Sequence, residues 1–155
     1  MSTSNPAPGA ELVDPDRVWF RFMRLHQRLL GQMTGRIRAL GLSIPQFDLL
    51  STLTEREGIS QSELAERLYV TKGNVSGLVD RMVQSGLVER RAIAGDRRSY
   101  AMHLTPEGRR LAEAGIAAQR DFVAGTLGQV PGRDLEELNR LVLVWRDLSR
   151  ALDKG

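Results

Sequence analysis

Gly95-Asp96-Arg97-Arg98 puts two guanidinium groups directly after a hairpin-turn dipeptide, so both side chains leave the chain where it reverses and projects outward. A guanidinium is a planar fork of donors that fits phosphate oxygens or a guanine edge. A second group of polar residues lies upstream: Thr71, Lys72, Gly73, Asn74, Ser76, Gly77 and Arg81 fall on the open face at the start of one helical pattern. Asn pairs bidentately with adenine, Lys reaches guanine or phosphate, and Ser bonds to either. Gly73 and Gly77 have no capping role to explain them, although a glycine inside a helix costs roughly 1 kcal/mol against alanine. They leave room for something to approach closely. Arg90 and Arg91 lie between the two groups and are candidate phosphate contacts. From Thr71 to Arg98 six basic residues face three acids, a net +3 that equals the formal charge of the whole chain. Positive charge focused on one segment is the footprint of polyanion binding.

Other chemistries lack their residues. The chain has no cysteine, so disulfides, thiolate metal sites and thiol redox sensing are excluded. His26 and His103 are the only histidines and are far apart in sequence, which argues against a zinc site. No nucleophile sits in a recognisable motif with a base, and the glycines form neither a phosphate-binding loop nor a dinucleotide fingerprint. The expectation is a protein that is not an enzyme and needs no cofactor or metal. No apolar run approaches the ~18 residues that span a bilayer. Residues 1–13, rich in Ser, Pro, Ala and Gly, read as a disordered tail rather than a signal peptide, so no membrane association and a cytoplasmic location are expected.

The elements that must position these groups are legible from apolar spacing. Val18, Phe22, Leu25, Leu29, Met33, Ile37 and Leu40 make one stripe, opened by Asp14-Pro15 and closed by Gly41. Ser43-Ile44-Pro45 opens a second helix to about Arg56, and Gly58 breaks it. Ser60 with Glu63 is a capping box for a third, carrying Leu64, Ala65 and Leu68 inward. Tyr69-Val70-Thr71 reads as a tight turn, with Thr71 capping a fourth helix over Lys72–Ser85. Strands are expected over Leu87–Ile93 and Arg98–Leu104, with a turn at Ala94–Arg97. Thr105-Pro106-Glu107 opens a long helix to about Gly128. A last helix runs to Leu152 with Leu138, Leu141, Val142, Trp145, Leu148 and Leu152 on one face. Two short helices joined by a three-residue turn, followed by a hairpin, spell a winged helix-turn-helix. The fold class is mainly α with a small β-hairpin wing. Residues 43–105 form the DNA-binding unit, and residues 14–42 and 106–155 form a helical dimerisation region. The long apolar stripes have too little core to cover them, so a second copy is the simplest cover.

Read in order, Ile44-Pro45-Gln46-Phe47-Asp48-Leu49-Leu50, Gln61-Ser62-Glu63-Leu64-Ala65, Val79-Asp80-Arg81-Met82 through Leu87-Val88-Glu89-Arg90, and Asp96-Arg97-Arg98 leading to Leu104-Thr105-Pro106-Glu107-Gly108 resemble the MarR (multiple antibiotic resistance regulator) family of transcription factors over about Asp14–Leu152. The resemblance implies a homodimer on double-stranded DNA, each subunit placing a recognition helix in the major groove and a wing in the minor groove. It puts the family's wing arginine at Arg98, held by Asp96, with Arg97 near phosphate. It also implies a repressor released from a palindromic operator by a small aromatic or phenolic anion, for which Met23, His26, Leu30 and Phe47 are candidate lining residues. Arg17, Arg21, Arg24 and Arg28 form a cationic stripe that could meet such an anion or acids of a partner. Trp19 and Trp145 read as core or dimer contacts. Two rival readings remain at this stage: an architectural DNA-binding protein without an effector, and a winged-helix protein-interaction module. The basic turn argues against the second.

Overall fold

The computed structural model describes residues 13–68 and 72–153, and within that span the side chain of Lys72 is not described. The expected tail and the Tyr69–Thr71 turn therefore lie outside the described residues, apart from Val13, as does Thr71 as a cap.

Among the described residues six α-helices and one hairpin follow in the order α1 (Pro15–Arg38), α2 (Ile44–Glu55), α3 (Gln61–Leu68), α4 (Lys72–Gln84), β1 (Val88–Ile93), β2 (Asp96–Leu104), α5 (Pro106–Gly125) and α6 (Gly132–Leu152). The helix starts are set by local chemistry. Asp14 caps α1 through the N–H of Asp16, and proline follows it in the first turn. Ser43 and Gln46 form a reciprocal capping box at α2, and Ser60 and Glu63 form one at α3. Gly41, Gly58 and Gly86 adopt φ of 78°, 84° and 72° where α1, α2 and α4 give way to the next segment. α5 ends at Gly125, earlier than the apolar spacing suggested, because a 3-10 turn over Leu127–Gln129 tightens the chain before Pro131.

One core holds the winged unit together. Ile37 from the end of α1 joins Phe47, Leu49, Leu50 and Leu53 of α2, Leu64 and Ala65 of α3, and Val75, Leu78, Val79 and Met82 of α4. Val88, Met102 and Leu104 of the hairpin and Ala112 of α5 complete it. Two glycines exist because α5 packs too closely for a side chain. A Cβ on Gly108 would stand 1.9 Å from the carbonyl oxygen of Leu87, and one on Gly115 would stand 2.5 Å from the ring of Phe47. Phe47 is 3% exposed, so it belongs to this core and presents no face to a ligand cleft.

The long helices are a different matter. α6 buries none of its residues, and α1 buries only Ile37. Their aromatic rings meet: the centroid of Trp145 lies 4.7 Å from that of Phe22 and 6.1 Å from that of Trp19. The rest of the stripe stays open. Leu25 is 52% exposed, Leu141 48% and Leu148 64%.

Candidate nucleic-acid interface

α4 buries Val75, Leu78, Val79 and Met82 and so turns Gly73, Asn74 and Arg81 outward, with Ser76 and Gly77 at the margin. A Cβ on Gly73 would meet nothing within 4 Å. A Cβ on Gly77 would meet only a guanidinium nitrogen of Arg81, at an ordinary 3.7 Å. Unlike Gly108 and Gly115, these two glycines relieve no clash among the described residues. The exposed face of α4 is thus kept low and smooth at a cost in helix propensity.

The hairpin differs from the sequence expectation at its tip. β2 begins at Asp96 rather than Arg98, because the turn is the two residues Ala94 and Gly95, with Gly95 at φ 85°. Ile93 pairs with Asp96 while Ala92 pairs with Tyr100, so β1 advances one residue where β2 advances four. Arg97, Arg98 and Ser99 therefore form a bulge with no partner on β1. A bulge bends its strand and re-aims the side chains it carries. The freed backbone donors need acceptors, and Asp96 supplies one: its Oδ1 accepts the N–H of Arg98 at 2.9 Å. This corrects the role expected for Asp96. It holds the backbone beneath Arg98, not the guanidinium. That N–H, with the hydroxyl and N–H of Ser99, keeps the Asp96 carboxyl below the usual carboxylate range although it is fully exposed.

The arginines fall into two sets. Arg81, Arg97 and Arg98 are exposed and make no ion pair among the described residues. Arg90 and Arg91, expected at phosphate, each also bond a carboxylate within the chain. Arg90 bonds to Asp80 of α4, and the Nε of Arg91 donates to Glu89 at 2.8 Å. Sequence reading missed the Asp80–Arg90 pair, which ties α4 to β1 across ten positions. It also missed Glu57, which accepts the N–H of Leu104 at 3.0 Å and a guanidinium N–H of Arg109 at 2.6 Å, with His103 Nδ1 at 3.7 Å. Burial pushes the Glu57 carboxyl up, but the bonds from Arg109 and Leu104 and the charges of Arg109 and His103 outweigh it, and the net shift is downward. Gly58 and Ile59 continue this tie. Gly58 N–H donates to Met102 at 2.8 Å and Met102 N–H to Ile59 at 2.9 Å, so the strand that carries the wing is anchored next to the start of α3.

Of the residues expected to line an effector cleft, only Phe47 is placed elsewhere. Met23, His26 and Leu30 lie on α1, where His26 stacks on Phe22 at 6.3 Å and Leu30 is 45% exposed, while Phe47 is in the core. Among the described residues no cluster of metal-ligating side chains is found, and no helix is long and apolar enough to cross a membrane.

With this geometry in view, the comparisons with known proteins are decisive. The model described as MarR family matches residues 40–99. BadR of Rhodopseudomonas palustris, described as a transcriptional activatory protein, is 30% identical over the whole of this chain and 90% of its own length. The chain belongs to the MarR family. Rv2887 of Mycobacterium tuberculosis, described as an HTH-type transcriptional repressor, is 28% identical over 84% of this chain and 94% of its own. Its solved structure, at 25% identity, covers 86% of this chain and 97% of that one with a TM-score of 0.65. TtmR of Methylorubrum extorquens, an HTH-type transcriptional regulator, is 33% identical over 65% of this chain, but the match spans only about half of its length, 49%. MarR proteins are winged-helix, DNA-binding transcriptional regulators, not enzymes. In this MarR-family chain α3 and α4 are the two helices of the winged helix-turn-helix fold and the β1–β2 hairpin is its wing.

Proposed function

We propose that the protein is a homodimer that reads a two-fold symmetric DNA site, with α4 of each subunit in the major groove and the wing in the flanking minor groove. The observation that carries this reading is the outer face of α4. Among the described residues its two glycines have no packing reason to be glycines, and it carries Arg81, which like Arg97 and Arg98 of the hairpin makes no ion pair there. In this reading Asn74 and Ser76 meet base edges, with Thr71 and Lys72 as further polar groups just before them in sequence. Arg98, lifted on the bulge, suits a narrow minor groove, where negative potential concentrates. The open stripes of α1 and α6 support the dimer, because Leu141, Val142, Leu148 and Leu152 need a cover that the described residues do not supply. Regulation is then a matter of geometry. Whatever changes the spacing of the two recognition helices changes DNA affinity, and by linkage DNA changes the affinity for that effector by the same factor. The effector belongs to this reading as a small aromatic anion meeting α1 at Met23, His26 and Leu30. Cytoplasmic residence follows from the same role.

Selection of duplexes from a random pool tests it. The expected winner is an inverted repeat with half-sites roughly 10 bp apart, centre to centre. A single asymmetric half-site, or no enrichment, would overturn the dimeric reading.

A further inference from the structure

A cleft of about 540 Å³ opens between the start of α3, the side of α4 and the root of the wing. Arg90, Arg98, Tyr100, Ser62, Gln61 and Asp80 are among its lining residues. Its donors are not used up inside the chain. Arg98 makes no ion pair among the described residues, and the hydroxyls of Tyr100 and Ser62 make no hydrogen bond there. Arg90 gives one N–H to Asp80 and keeps others of its five. Among the described lining residues two guanidinium groups, Arg90 and Arg98 (the latter leading on toward the minor groove), meet one acid, Asp80, a balance of about +1 that favours one phosphodiester.

Where this cleft lies says what crosses it. A helix in the major groove and a wing in the next minor groove are separated by one sugar-phosphate strand, so that strand must pass over the surface between α4 and the wing. We infer that the cleft is the seat of the backbone phosphate between the two grooves, with Tyr100 and Ser62 as donors that no sequence reading singled out. The inference rests on the DNA-binding reading above. Asp80 is a positioning residue in it: it holds Arg90 against the cleft wall and sets the charge at a single phosphate rather than a free dianion. The seat fixes the register of the protein on the duplex without reading a base.

The test uses the full chain and the selected duplex, with single phosphates replaced by neutral methylphosphonates along both strands. In the wild type, one phosphate per half-site on the strand between the grooves should lower affinity about tenfold when neutralised, because bonds to a charged group are lost. In Tyr100→Phe with Ser62→Ala the loss at that position should fall to about threefold or less, with other positions unchanged. The thermal midpoint should not move, since neither hydroxyl makes a hydrogen bond among the described residues. Exchange of chloride for inorganic phosphate at constant ionic strength should leave wild-type affinity unchanged. No position coupled to the two hydroxyls would overturn the inference. So would a phosphate-specific loss of DNA binding that the double variant abolishes, since the cleft would then belong to a free anion. A chain that binds no duplex refutes the function proposed above, whereas a chain that binds duplex with no such position refutes only the seat.

Discussion

Gly77→Ala should make this protein more stable and a worse DNA binder. Gly77 lies inside α4, and the added methyl would meet only Arg81, at 3.7 Å, an ordinary contact. Alanine in a helix interior is favoured over glycine by roughly 1 kcal/mol. For a chain of 155 residues that raises the thermal midpoint by about 2–4 °C at fixed protein concentration. The same methyl stands on the face that meets the base edges. If it lifts α4 enough to break one bidentate contact such as that expected of Asn74, affinity falls by roughly 1–3 kcal/mol, about fivefold to somewhat over a hundredfold. Circular dichroism melts and fluorescence-anisotropy titrations of the selected duplex give both numbers on one preparation. Gly115→Ala is the contrasting control. Its Cβ would stand 2.5 Å from the buried Phe47 ring, so that variant should lose stability. If Gly77→Ala is stabilised and binds DNA as the wild type does, the glycine is not there for close approach and the argument from α4 fails.

Changing Leu141 and Leu148 to Glu together should give monomer or aggregate in sedimentation; a stable wild-type monomer at micromolar concentration would remove the dimer. Asp96→Ala should weaken DNA binding although it removes a negative charge near phosphate, because the N–H of Arg98 loses its acceptor and the bulge loosens. Arg98→Ala should weaken binding more, and the double variant should be no worse than Arg98→Ala alone; additive losses would mean that Asp96 acts independently. Glu57, held below the ordinary range in the folded chain, stabilises fully above its unfolded value of about 4.3, and that stabilisation is lost as pH falls through the folded value. Glu57→Gln should thus melt below the wild type at neutral pH, with the gap closing below about pH 4, and a gap that persists there would show that the Arg109 and Leu104 bonds do not depend on its charge.

What could be read in the sequence was what neighbours along the chain decide. The Ser43–Gln46 and Ser60–Glu63 boxes span three residues, and the apolar side of α4 repeats every three or four, so helix starts and faces were legible. Contacts between distant positions were not. Asp80 meets Arg90 only after a helix end and a turn bring them together, and Glu57 meets Arg109 across the hairpin. The bulge at Arg97–Ser99 depends on strand register, which the Gly95-Asp96 signal does not fix, and so the backbone role of Asp96 was hidden. The family resemblance puts Phe47 at a cleft, whereas its 3% exposure and its fit against Gly115 put the ring in the core, a packing between α2 and α5 that no local spacing encodes.

The central claim is that this chain binds DNA by sequence through α4 and the wing. Its most direct measurement is the affinity of the purified protein for the selected duplex against a scrambled duplex of equal length and composition, at about 0.15 M salt. The account predicts that the selected duplex binds tighter by at least about 10³-fold, the lower end of the range for specific recognition. Equal affinity for the two duplexes would contradict it.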